Sequence, residues 1–286
     1  MVDATVHGVE VSDGIVFAYS YYIDPLMMSY RQKGDWVIAF TCNLMRAGLC
    51  DPHWRDCDGH FYSDHCDRHA EITLLAPPPL GQRLDIVAGK HGAELRNEDA
   101  TLATTRRVPI DVPEIPSVSF REAQEAVRRS PYDEGRHPLP TCFVSGPARV
   151  DGDGLRIIPR HLPPRPDRRL GTLAAPWTPH SNLASEDGAV AHEFIWAALD
   201  CPTVFAGAGA QHLGMNGTEA ILLGRMGARI KRRPYPGDQC IIVAWPTGRN
   251  GRKLFATSAL MSSDGEFLAV AQATWLLVER QVQLGE

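Results

Sequence analysis

Arg233-Pro234-Tyr235-Pro236-Gly237-Asp238, followed by Gln239-Cys240-Ile241-Ile242-Val243-Ala244-Trp245-Pro246, is a corner that opens into a strand. The prolines fix φ and withdraw donors, and the glycine-aspartate pair supplies turn chemistry. Residues 239–246 and 253–261 then face each other across Arg249-Asn250-Gly251-Arg252, where Asn-Gly is a strong hairpin signal. Asp264-Gly265 makes a second turn into a strand over residues 267–278. In that last strand Leu268, Val270, Gln272, Thr274 and Leu276 share one face and Ala269, Ala271, Ala273, Trp275 and Leu277 the other. Both faces are mostly apolar, as expected of a central strand covered on both sides. Upstream, residues 218–230 read as a strand and residues 188–209 as a helix broken at Cys201-Pro202.

The same pattern occurs once more, earlier in the chain. Ala76-Pro77-Pro78-Pro79-Leu80-Gly81-Gln82 is the corner, preceded by a strand over residues 69–75 and followed by strands over 83–90, 93–96 and 101–108. Residues 35–49 carry Trp36, Phe40, Leu44 and Leu49 at helical spacing, with Asp35 as the cap, and residues 14–22 read as a first strand. Between the copies, residues 111–140 are proline-rich around a helical patch at 120–129. Short strands are expected at 154–158 and 171–177. The expected division is residues 1–112, a linker over 113–140, and residues 141–286.

The chain has 286 residues, 44% hydrophobic and 22% charged, enough to bury a core in two units of ordinary size. A net charge of −5 with interspersed signs gives no reason to expect nucleic acid or an anionic membrane as a partner. The first residues lack the basic and apolar regions of a secretion signal, and no run approaches the roughly 18 apolar residues of a membrane span. A cytoplasmic protein with its seven cysteines as free thiols is the resulting expectation.

Gly237-Asp238-Gln239, Lys253-Leu254-Phe255-Ala256-Thr257-Ser258-Ala259-Leu260, Ser263-Asp264-Gly265-Glu266-Phe267-Leu268-Ala269 and Val270-Ala271-Gln272-Ala273 resemble the acyl-CoA thioesterase superfamily. So do Trp196-Ala197-Ala198-Leu199-Asp200-Cys201-Pro202, Cys142-Phe143-Val144-Ser145-Gly146-Pro147 and Asp153-Gly154-Leu155-Arg156-Ile157. The resemblance covers residues 141–280 closely and 10–110 more loosely. It implies an α+β double hotdog, two antiparallel sheets each wrapped around a long helix. It also implies an acyl-CoA or acyl-carrier thioester as substrate, no cofactor, and a homodimer as a further expectation. In the acyl-CoA thioesterase II type, a helix Asp, a strand Gln and a strand Thr hold the attacking water. Asp200 matches the first and Gln272 the second, but Gly224 stands where the threonine would be.

The chemistry of such a site is water activation by a carboxylate, with donors for the developing oxyanion. Asp200 and Gln272 are the catalytic candidates. Glu193, seven positions before Asp200, joins them on one helix face if the helix is unbroken. With a helix starting at Pro202, the backbone donors of Cys201 and Thr203 would receive the oxyanion and Asp200 would equally serve as its cap. Cys201 is also a candidate nucleophile, although no histidine accompanies it in sequence. Asn43 is a candidate amide partner at the pseudo-equivalent site of the first half, or equally a polar residue at the edge of the core. Lys231, Arg232 and Arg233 are candidates for the phosphates of coenzyme A or for a solvated face. The His/Cys/Asp-rich stretch over residues 50–69 has a zinc-like composition without zinc-like spacing, so it reads as a polar loop and no metal is expected. The competing functions are a hotdog dehydratase, hydratase or cyclase on a carrier-bound acyl chain, and a non-catalytic acyl-ligand-binding protein.

Overall fold

The structure, a computed structural model, describes residues 6–7, 68–76, 84–89, 92–98, 100–129, 142–150, 152–166, 168–208 and 219–279. The strand expected at 14–22, the helix expected at 35–49 with Asn43, and the His/Cys-rich stretch up to residue 67 lie outside the described residues.

The first half contributes β1 (Val6–His7), β2 (Arg68–Leu74), β3 (Leu84–Gly89), β4 (Gly92–Asn97) and β5 (Ala100–Arg106). Helix α1 (Phe120–Arg129) follows. The second half contributes β6 (Arg160–His161), β7 (Leu173–Trp177), a 3-10 turn (Ser181–Leu183) and the central helix α2 (His192–Ala208). It closes with β8 (Glu219–Ile230), β9 (Cys240–Asn250), β10 (Lys253–Ser262) and β11 (Phe267–Glu279).

The expectation of two sheets is corrected: among the described residues the strands form one eleven-stranded sheet in the order β1-β3-β4-β5-β2-β8-β11-β10-β9-β7-β6. The two copies join where β2 pairs antiparallel with β8, from Arg68↔Ile230 to Thr73↔Arg225. Outward from that seam the orders are alike. β2 is followed by β5, β4 and β3, and β8 by β11, β10 and β9. In each half the strand before the corner therefore pairs with the last of the three strands after it, so the repeat in the sequence is a repeat in topology. Joining at the seam satisfies the backbone groups of two strands that would otherwise be open edges.

The turns follow their chemistry. Asn250 pairs with Lys253, so the tight connection is Gly251-Arg252, with Gly251 at φ +56. Gly265, at φ +84, turns the chain into β11. Pro246 sits where the β9–β10 register slips and where β7 no longer pairs with β9, a place that tolerates a missing donor. The strand expected at 154–158 is not regular. Leu155 and Ile157 donate backbone N–H groups to Phe143 and Val144, but Arg156 between them has φ +54, which a strand excludes.

The second half of the sheet is covered on both faces. On the inner face Ile195, Trp196, Ala198, Leu199, Cys201 and Phe205 of α2 pack against Ala256, Leu260, Ala269 and Ala271. On the outer face Ala123 and Ala126 of α1, with Ile110, cover Val243, Trp245, Ala259 and Val270. The start of α1 is a capping box: Ser119 Oγ accepts from Glu122 N–H while Glu122 Oε2 accepts from Ser119 N–H. Ser119-x-x-Glu122 was a readable signal for that boundary. Glu122 Oε1 also accepts from Arg165 and Arg168, each at 2.9 Å, which fastens the helix to the segment before β7. Residues 108–129 thus form a strap across the outer face of the second half.

Helix α2 is not broken at Cys201-Pro202; it runs through Pro202 to Ala208. Proline in a helix interior removes one hydrogen bond and costs about 3 kcal/mol. Burying Ile, Leu and Phe side chains returns about 1.5–3 kcal/mol each, and α2 buries Ile195, Leu199 and Phe205 as well as Trp196. Near the proline, Ser258 Oγ donates to Leu199 O at 2.5 Å and Thr203 Oγ1 donates to Asp200 O at 2.6 Å. These hydroxyls supply donors to the turn that the proline disturbs.

Candidate active site on the central helix

Asp200 lies in the middle of α2, on the turn before Pro202, with 1% of its surface exposed. Cys201 Sγ lies 3.8 Å from its Oδ2 and donates to it. Its backbone carbonyl is held by Thr203 Oγ1, which in turn accepts from Trp275 Nε1 of β11 at 2.8 Å. The chain Trp275–Thr203–Asp200 therefore ties the inner face of β11 to the helix turn that carries the carboxylate.

Gln272 is not part of this arrangement. Val270 packs with Ile110 on the outer face, whereas Ala271 belongs to the core around α2. Alternation along β11 puts Gln272 with Val270. Its side chain is exposed, and its Nε2 donates to Asp111 O of the strap at 3.1 Å. Gly227 stands opposite Gln272 on β8, and a Cβ there would lie 2.7 Å from Ile110 Cδ1. The absent side chain lets Ile110 settle onto the sheet, and Asp111 then arrives beside Gln272. The expected convergence of Asp200 and Gln272 on one water is corrected: they lie on opposite faces of the sheet.

Glu193 is buried in the first turn of α2, where a carboxylate complements the helix dipole. Because the helix is unbroken it shares a face with Asp200, but two turns away, about 10 Å along the axis. The expected oxyanion cradle at Cys201 and Thr203 is corrected by the same continuity, since N–H groups inside a helix turn toward carbonyls one turn earlier. Thr203 is fully buried, its hydroxyl bound to Asp200 O and Trp275. Cys201 is buried with its Sγ 3.6 Å from Cys142 Sγ. Arg233 faces inward: it pairs with Asp187 and donates to Ser185 Oγ and Val190 O, fixing the corner to the loop before α2. The hydrogen bonds from Arg233 and from Ser185 hold the Asp187 carboxyl down at about 2. Lys231 and Arg232 are half-exposed and share Glu266, at 3.7 and 2.7 Å. His69, the described end of the His/Cys-rich stretch, accepts from Ile110 N–H through Nδ1 at 2.8 Å and so holds the strap. Among the described residues no group of three His, Cys, Asp or Glu side chains is placed to hold a metal ion, and no helix is long and apolar enough to cross a membrane.

The architecture is shared with solved structures. An acyl-CoA thioesterase II, TesB2, from Mycobacterium marinum matches with a TM-score of 0.57 and 10% identity over 87% of this chain and 91% of that one. The chain has the double-hotdog fold. The tesB protein of Mycobacterium avium subspecies paratuberculosis matches with a TM-score of 0.50 and 10% identity, over 84% of this chain and 86% of that one. No protein-family model matches the sequence, and a search of curated proteins gives no match. The residues that reading the sequence missed on this double hotdog are Ser258, Thr203 as a donor to the helix, and Trp275. Their signal was present as polar groups of the inward parity on β10, α2 and β11, opposite a proline in a helix.

Proposed function

We propose that this chain hydrolyses an acyl thioester, with coenzyme A or an acyl carrier as the leaving thiol and Asp200 as the group that activates water. The observation that carries the reading is the Asp200 carboxylate, almost wholly buried in the middle of the central helix of a fold shared with an acyl-CoA thioesterase II. A carboxylate in that position accepts a proton from water as the oxygen attacks the thioester carbon, and the departing thiolate is protonated in turn. Gln272 has no part in this step. No cofactor enters it.

A second reading is favoured by a specific observation. Gln272 faces the strap and Gly224 offers no hydroxyl, so two of the three polar groups expected from the resemblance are missing from the inner face. An acyl-ligand-binding protein would keep the covered inner face and need neither group. The test is a panel of acyl-CoA thioesters of increasing chain length, with release of free thiol followed by a chromogenic thiol reagent. Hydrolysis by the wild type that is lost in Asp200→Asn supports the hydrolase. Saturable binding of the panel without thiol release, equal in wild type and Asp200→Asn, assigns the chain to ligand binding. Turnover that survives in Asp200→Asn refutes the role given to Asp200.

A further inference from the structure

Two thiols from distant parts of the chain meet beside Asp200. Cys142 Sγ and Cys201 Sγ are 3.6 Å apart, both buried and both free. Their surroundings are ordered by polar contacts. Ser145 aims both its N–H, at 3.3 Å, and its Oγ, at 3.4 Å, at Cys142 Sγ. On the other side Cys201 Sγ donates to Asp200 Oδ2 at 3.8 Å, which leaves Cys142 as the donor between the two sulfurs. The line therefore runs from Ser145 through both sulfurs to a carboxylate that can accept a proton. Cys240, the other buried thiol among the described residues, lies in β9, and burial pushes it up to about 12.

We infer that Cys142 and Cys201 form a redox-active dithiol whose substrate is a hydroperoxide, and whose oxidised form is a disulfide tying the turn at residues 142–146 to the middle of α2. Cys201 passes its proton to the Asp200 carboxylate, and its sulfur attacks one oxygen of the hydroperoxide. The O–O bond breaks and the alcohol or water leaves with a proton, so the thiol becomes a sulfenic acid. Cys142 sulfur then attacks Cys201 sulfur, and the S–O bond breaks with release of water. One hydroperoxide is reduced by two electrons as two thiols become one disulfide. The sulfurs must close from 3.6 Å to about 2.05 Å, a movement shared between two side chains. Opening of the irregular turn at 142–146 admits a small oxidant. A thiol reductant restores the pair.

The test uses the full chain under native conditions and does not depend on any thioesterase activity. Hydrogen peroxide is added, the remaining thiols are alkylated, and peptides are mapped by mass without reduction. The expected result is loss of two alkylatable thiols with the Cys142 peptide linked to the Cys201 peptide, reversed by dithiothreitol. In Cys142→Ser, Cys201 is instead captured as a sulfenic acid by a dimedone probe. Recovery of both cysteines as separate alkylated thiols overturns the inference. So does a link that forms only in urea, or pairing of Cys201 with other cysteines as often as with Cys142. The wild-type map decides the matter even if Cys142→Ser does not fold.

Discussion

Glu122→Gln is expected to destabilise the protein by about 3 kcal/mol at neutral pH and by almost nothing below about pH 2. Burial alone would raise the Glu122 carboxyl, but the hydrogen bonds from Ser119 and Arg168 outweigh it and bring it from 4.5 to about 2. A carboxyl that ionises about two and a half pH units early contributes about 3 kcal/mol when charged. Arg168 has 3% of its side chain exposed, and stripping a buried cation of its partner costs about 3–5 kcal/mol. Its remaining contacts to Pro163 O and Ser117 O keep the value at the low end. Because the folded value lies below the unfolded one, the contribution is complete above about 4.5 and is lost as pH falls toward 2. Glutamine keeps the length and one acceptor, so it imitates the protonated acid. Urea unfolding of both proteins between pH 7 and pH 2 should show midpoints that differ at the top and converge at the bottom, with equal slopes. A difference under about 1 kcal/mol at pH 7, or one independent of pH, would refute the claim that this carboxylate fastens the strap.

Gln272→Ala should leave thiol release from acyl-CoA within about twofold of wild type and cost under about 1 kcal/mol, since only an exposed bond to Asp111 O is lost. A large loss of rate would put Gln272 back in the site. Trp275→Phe should cost about 1–2 kcal/mol more than Trp245→Phe in urea unfolding. Trp275 donates to Thr203, whereas Trp245 Nε1 is buried without a hydrogen-bond partner among the described residues. The opposite order would refute the role assigned to the Trp275–Thr203 contact. Asp187→Asn should lower stability above about pH 4 and match wild type near pH 2, because Arg233 depresses that carboxyl. Its 39% exposure keeps the effect to about 1 kcal/mol or less, and a midpoint unaffected at pH 7 would mean that the Arg233 corner is held by its bonds to Ser185 and Val190 alone.

Local and periodic features were legible in the residues alone. The corner at residues 233–238, the turns at Gly251 and Gly265 and the helix at 120–129 depend on a residue and its near neighbours, and all are present. The first proline corner lies outside the described residues from Pro77 onward. The alternation along β11 holds from Ala269 to Ala273, but Leu268 packs with Ala269 and Ala271 around α2 instead of with Val270, because the β10–β11 register slips there. The repeat was legible because two copies of one topology need the same order of strands and turns. Contacts between distant segments settled the rest. Alternation shows which residues of β11 share a face but not which layer covers that face, and with both faces apolar nothing in the strand distinguished helix from strap. Gly227, Ile110 and Asp111 made that choice by long-range packing, and it turned Gln272 away from Asp200. Pro202 carries a local penalty that burial on every side of α2 outweighs, so the helix continues where the sequence alone stops it. The union of two sheets into one is likewise a contact between β2 and β8, far apart in the chain, because an open edge is satisfied by whichever strand the fold brings beside it.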